Sequence, residues 1–349
     1  TVLFGIALGY LLLMFGVAWA SDSGLIPERL LRHPFAYVLS LGVYAGAWAF
    51  YGAVDLAFNS GYGFLSYYAG TASLLLFAPL IVVPLMRISG AYQLNSLADL
   101  LSFRYRSSLA GVLVTVCMII AVMPLLALQI RAVATTAAIL SSIDLAPELV
   151  PPSQHVMALA FCALIMLFTL IFGARHVGAH ERHNGLVAVI AFETIIKLLI
   201  LSMLGLVAVF GVFDGPSGLQ QWLDAHPAQL QRLSTPFDEN ETRTLLMMFF
   251  ASALSLPHMY HMLFAENPRP NVVSQASWGF PLLMLLLSLP ILPILWAGIE
   301  LKSPLPPQYY ALGIGIGLRS PLITALTFVG GVAAASGTII VTTLALSSM

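Results

Sequence analysis

The sequence predicts an all-α, polytopic membrane protein, and three observations carry that prediction. Hydrophobic residues make up 59% of the 349 positions and charged residues only 8%, with a mean hydropathy of +0.93, well outside the composition of soluble globular domains. The apolar residues gather into long runs, each near the roughly 20 residues that a helix needs to cross about 30 Å of hydrocarbon. The charged residues collect in the connections between those runs, and the basic ones are unevenly shared between alternate connections, as expected of a chain that crosses a bilayer repeatedly.

In chain order the apolar runs fall at 2–20, 36–58, 64–86, 108–140, 154–173, 185–213, 244–265, 278–298 and 320–348, which predicts nine spans. The first is too long and too lightly charged at its start for a signal peptide, so it reads as a true crossing. Because Thr1 opens directly into that run, the chain is expected to begin inside a longer reading frame or after processing. The connections after spans one, three, five and seven carry Arg29, Arg32, Arg87, Arg104, Arg106, Arg175, Arg182 and Arg269, whereas the alternate set carries Arg232, Arg243, Lys302 and Arg319. This bias places the first set in the cytoplasm, the amino terminus on the periplasmic side and Met349 on the cytoplasmic side. The polar connection 214–243, rich in prolines and acids, is then an external loop with one short surface helix, and no soluble domain is visible.

Span two is the unusual one. Residues 38–62 hold Gly42, Gly46 and Gly52 among Tyr44, Trp48 and Tyr51. Each glycine weakens a helix by roughly 1 kcal/mol relative to alanine, and small residues also allow close helix approach. Asp55 adds a carboxylate that at membrane depth must face protein or water, with Arg131 as an expected partner across the bundle. Such a span predicts either a broken helix whose freed backbone lines a cavity or a tightly packed glycine helix.

Other classes are excluded or given little support. A net charge of −1 leaves no basic face for nucleic acid. Cys117 and Cys162 both lie in apolar runs, so no disulfide framework or metal cluster is predicted. No nucleophile–base pair stands at a recognisable spacing, so the chain is not expected to be an enzyme in itself. Within span six, Glu193 and Lys197 are spaced four apart, which predicts an ion pair along one helix face.

Several segments resemble the sodium/solute symporter family. RISGAYQLNSLADLLSFRY (87–105) is similar to its cytoplasmic connection, a basic residue followed by T-L-P-E-F-L and then R-Y. Gln129 with Arg131 and Ala132 resembles its Q-L-x-A, LPHMYHMLFAEN (256–267) its Q-P-H-I-I-x-R, and GARHVGAHE (173–181) its G-L-x-A-V-x-W-T-D. These matches occur in the family's order and cover nearly the whole chain. The runs SLGVYAGAWAFYGAV and GARHVGAHERHNGLVAVIAFETIIKLL most resemble the transporter-like membrane domains of CbrA-type sensor histidine kinases.

The resemblance implies a leucine-transporter-like bundle of two inverted five-helix repeats with an extra leading helix. Residues 1–20 would be that leading helix, 36–213 the first repeat and 244–348 part of the second, so that core helices 1 to 8 are present and the bundle is incomplete; cytoplasmic signalling and kinase domains would follow beyond 349. It implies a coupling cation held by the backbone carbonyls of Gly42 and Ala45 and by hydroxyls on core helix eight. AAASGT puts Ser336 at the first hydroxyl and Gly337 at the second, so a sodium ion loses a ligand, and protons or no coupling ion are expected instead. Glu181, at the family's second cation position, with His176, His180 and His183 on one face, is a proton-relay candidate or an ordinary solvated connection, and Asp55 and Glu193 are further titratable candidates.

The substrate cavity implied by the family would be lined by Tyr44, Trp48, Tyr51, Tyr67, Gln129, Phe249, Ser252 and His258. That set suits a small zwitterion with a planar side chain, since aromatic faces hold an ammonium or stack a ring. Histidine is the amino acid that the resemblance names. Two function classes stay open: a secondary amino-acid transporter working by alternating access, and a transporter-shaped receptor reporting occupancy to a kinase. The partners implied are a small amino acid, the lipid bilayer of a bacterial inner membrane and, through the kinase domain, a response regulator, with a homodimer as a candidate assembly. No cofactor is expected in this domain, ATP belonging to the kinase.

Overall fold

A computed structural model describes residues 2–31, 33–144, 153–170, 184–234, 239–266 and 270–349, and every regular element among them is helical. Helix α1 is Val2–Asp22. The second apolar run is broken, as α2 (Pro34–Ser40) tightens into a 3-10 turn over Leu41–Tyr44, the chain leaves helical geometry at Ala45, and a π-helical turn at Trp48–Gly52 leads into α3 (Ala53–Ser60). Pro34–Tyr44 and Trp48–Leu76 diverge by 74°.

The other predicted spans map onto α4 (Leu65–Leu76) with α5 (Val82–Tyr92), α7 (Ser108–Asp144), α8 (Gln154–Phe168), α9 (Asn184–Leu206), α12 (Glu239–Ser255) with α13 (Pro257–Tyr260), α14 (Val273–Ser288) with α15 (Ile291–Glu300), and α17 (Pro321–Ser347). Leu97–Tyr105 forms α6, opened by a reciprocal Ser96–Asp99 capping box. Tyr310–Gly317 forms α16. The connection 214–243 folds into two surface helices, α10 (Pro216–Ala225) and α11 (Pro227–Ser234), where the sequence predicts one, because Pro227 restarts the helix after His226. Trp222 Nε1 of α10 donates to Glu300 Oε2 of α15 at 2.6 Å, and the Arg232 guanidinium of α11 lies 4.9 Å from the Phe58 ring centroid, so this pair of helices is fastened to α3 and α15.

Prolines explain where the structure departs from the nine uninterrupted runs. Pro79 lies in the break between α4 and α5, Pro84 stands in the first turn of α5, and Pro290 separates α14 from α15. Leu256, extended at φ −64° and ψ 132° ahead of Pro257, splits α12 from α13. Four described helices, at Ser108–Ser142, Gly185–Val212, Val273–Glu300 and Pro321–Ser347, are long and apolar enough individually to cross a membrane, or five if the bent pair counts as one span. The chain is a multi-pass membrane protein.

The bundle is organised around α17. Its apolar window is 72% buried, against 6% in α7, whose Leu109, Val112, Leu113, Val116 and Ile120 face outward. Residues 330–338 of α17, GGVAAASGT, are buried throughout. Their small side chains let α7, α9, α13 and the broken segment pack on α17 together. Gly330 sits against the Phe50 ring and Gly331 against the Tyr51 ring, closely enough that a side chain at either would overlap them. On the opposite flank α4 packs between α12 and α14.

Candidate functional site

A helix interrupted inside a bilayer leaves backbone donors and acceptors that no water reaches, so each must find a protein partner. Around the break at 42–47 the accounting closes. Lys197 Nζ, on α9, donates to the Gly42 carbonyl at 2.5 Å and to the Ala45 carbonyl at 2.8 Å. Thr338, on α17, donates to the Val43 carbonyl at 3.0 Å. The Tyr67 hydroxyl, on α4, reaches the Tyr44 carbonyl at 3.2 Å. The Ala47 N–H donates to Gln129 Oε1, on α7, at 2.6 Å. Five groups from the broken segment are thus held by four different helices.

Glycine is required at two of these positions by close approach. A Cβ on Gly42 would run into the Thr194 side chain, and one on Gly46 would lie 2.7 Å from both Gln129 Oε1 and Thr338 Oγ1. Gly46→Ala is therefore expected to overpack the break and cost about 1–3 kcal/mol of stability, read as a lower melting temperature in detergent; an unchanged melting temperature would show that this region gives way freely.

Glu193 anchors the other side of the site. Its Oε1 accepts from the Ser336 hydroxyl at 2.7 Å and from the Tyr10 hydroxyl of α1 at 3.0 Å, and Glu193 is 1% exposed. A Cβ on Gly337 would fall on Glu193 Oε2, so the glycine at that position makes room for the carboxylate. The predicted Glu193–Lys197 ion pair along α9 is not the arrangement found. The carboxylate turns to the hydroxyls of α1 and α17, while the ammonium turns to the two carbonyls that the break leaves without helical partners.

Beside the break lies an aromatic group. The Tyr44 and Tyr67 rings stack with centroids 5.3 Å apart; Trp48 lies 4.8 Å from Tyr67, and Phe249 lies 5.1 Å from Tyr67 and 6.1 Å from Trp48. The Tyr44 hydroxyl is 2.7 Å from the Ser252 hydroxyl. The His258 ring is 6.5 Å from the Tyr44 ring, and its Nδ1 is 3.2 Å from Thr342 Oγ1. Buried Gln129 Nε2 has no hydrogen-bond partner among the described residues. Rings, a hydroxyl pair, an imidazole and an unused amide donor can together hold a small solute with a charged amine, an acceptor and a flat side chain.

The remaining sequence-predicted positions lie elsewhere. Tyr51 turns away from this group, with its hydroxyl on the Thr327 carbonyl at 3.2 Å and its ring 5.7 Å from Tyr309. Asp55 is half-buried on α3, while its expected partner Arg131 is exposed on α7; no contact joins them, since the α7 surface carrying Arg131 faces outward. Ser336 hydrogen-bonds Glu193 and Ala333. Glu181, His176, His180 and His183 lie outside the described residues. Sequence reasoning missed Tyr10, Thr338, Thr342 and the direction of Lys197. Only the lysine had a usable signal, a lone cation deep in a 28-residue apolar span.

No family model matches this chain, and no curated protein does either. Among solved structures it is similar to a Na+-coupled sialic acid symporter in its substrate-bound outward-open state, described as revealing a novel Na+ site. The TM-score is 0.70 at 14% identity, covering 100% of this chain and 72% of the symporter. That likeness shows the fold, the helical bundle of a leucine-transporter-like membrane protein.

Proposed function

We propose that this chain is the membrane domain of a secondary transporter that moves a small amino acid by alternating access, with L-histidine as the first substrate to test and protons rather than sodium as the coupling ion. The observation that carries the reading is the break at 42–47, whose backbone groups are held by side chains of four helices and which adjoins Tyr44, Trp48, Tyr67, Phe249, Ser252 and His258. A fold shared with a symporter supports it. Flat aromatic faces suit an amino acid's ammonium or imidazole, and Gln129 Nε2 supplies a donor for a carboxylate or ring nitrogen. Histidine itself rests on the resemblance to CbrA-type sensor kinases, as do the bacterial inner membrane, the periplasmic amino terminus and the link to a kinase and its response regulator. For the ion, Gly337 withholds the second hydroxyl of a sodium site, and Glu193 and Lys197 are buried titratable groups beside the break.

The test is uptake of radiolabelled histidine by the purified protein in proteoliposomes, under separate proton and sodium gradients. Accumulation driven by an inward proton gradient, collapsed by a protonophore and indifferent to sodium, is the expected result. Saturable binding without flux would make the protein a receptor, and uptake that needs sodium would overturn the choice of ion.

A further inference from the structure

The fold's sodium-coupled neighbour and the family resemblance both raise the question of a metal cation between the broken segment and α17. The residues present do not fit one. A sodium ion needs several hard oxygen ligands facing one point, and here the two carbonyls that would serve already hold a cation while one of the two helix hydroxyls is missing. The Gly42 and Ala45 carbonyls accept from Lys197 Nζ. The Ser336 hydroxyl donates to Glu193, which draws it toward the carboxylate. Gly337 has no hydroxyl, and Glu193 Oε2 fills the space that a side chain there would take. The Thr338 hydroxyl is drawn to the Val43 carbonyl, to which it donates, rather than to the Gly42 and Ala45 carbonyls.

What stands on the two carbonyls is itself a cation. Lys197 is 3% exposed, and its ammonium makes two directed hydrogen bonds that a sodium ion would have to displace. Two unit charges about 4 Å apart repel by about 4 kcal/mol at the effective dielectric of a protein, so ammonium and metal exclude each other. Glu193, one turn back on the same helix, already balances the ammonium, and a further cation would leave a net positive charge inside the bundle.

We infer that the Lys197 ammonium is the resident cation of this site, tethered to α9, and that it takes the place of sodium by holding the Gly42 and Ala45 carbonyls. The site therefore binds no alkali metal ion, whereas shortening Lys197 opens a place for a small free ammonium. This holds whether the protein carries solute or only binds it, so its test is a melting measurement that needs no transport.

Thermal unfolding of the detergent-purified protein is compared in sodium, potassium, choline and methylammonium chloride at equal ionic strength. The wild-type melting temperature is expected to be the same in all four. Lys197→Ala is expected to melt lower in sodium, potassium and choline chloride by about 5 °C or more, taking a domain this large to lose roughly 2–4 °C per kcal/mol, and methylammonium is expected to recover at least half of that loss. Should the alanine variant fold only when methylammonium is present during purification, that too supports the proposal. Should it fold under no condition, Lys197→Gln carries the same comparison, with its amide as a partial substitute donor. Sodium-specific stabilisation of the wild type overturns the proposal, as does a Lys197→Ala variant that melts like wild type or that methylammonium does not rescue.

Discussion

Glu193→Ala should lower the unfolding free energy by about 3–5 kcal/mol, the usual cost of stripping one partner from a buried charged set. The variant loses the acceptor of two hydrogen bonds, from Tyr10 and Ser336, and leaves the Lys197 ammonium with no balancing charge inside the bundle. It also removes the hydrogen bond that joins α1 to α9 at the level of the site, leaving the Tyr10 and Ser336 hydroxyls 3.3 Å apart as the polar link from α1 to α17. A double-mutant cycle with Lys197→Met separates the contributions. If the two charges compensate each other, the double variant is less destabilised than the sum of the singles by about 0.5–3 kcal/mol. Strict additivity, measured by denaturant unfolding in detergent, would mean that the carboxylate serves Tyr10 and Ser336 alone.

Gln129→Leu should cost about 1–3 kcal/mol of stability, because it orphans the Ala47 N–H where water cannot replace the lost acceptor. On the transporter function proposed above, it should also reduce uptake of the transported solute at least about tenfold, since it removes the unused Nε2 donor and loosens the segment bearing Trp48. Gln129→Glu keeps an acceptor for Ala47, so most of the stability should survive while uptake still falls. Equal losses of stability in the two variants would show that Oε1 is not what holds the segment. Comparing melting temperatures with initial uptake rates on the same preparations decides the point.

The break itself was legible in the sequence. Three glycines among aromatic residues in one apolar run marked residues 38–62 as weakly helical, and the structure interrupts the helix at Ala45. Most of the aromatic group was also accessible to sequence reasoning, because Tyr44 and Trp48 share one span and the resemblance placed Tyr67 and Phe249 opposite. What escaped was the reach of individual side chains. Helical spacing put Glu193 and Lys197 on one face and so predicted a pair between them, but spacing within one helix does not see the partners that neighbouring helices offer, and these claimed both side chains. The interruption at Leu256–Pro257 had a clear local signal, a proline deep in an apolar run, yet hydropathy averaged across it. Pairing Asp55 with Arg131 assumed that both faced inward, and nothing in the local pattern of α7 distinguished its outer surface from its inner one.

The reach of Tyr10 to Glu193 changes how α1 should be treated at the bench. A label, crosslink or engineered disulfide introduced along α1 acts on the same rod that carries this phenol, so a modification made there for convenience is transmitted to the buried carboxylate. Reporters belong instead on the α10–α11 pair, which is fastened to α3 and α15 rather than to the leading rod.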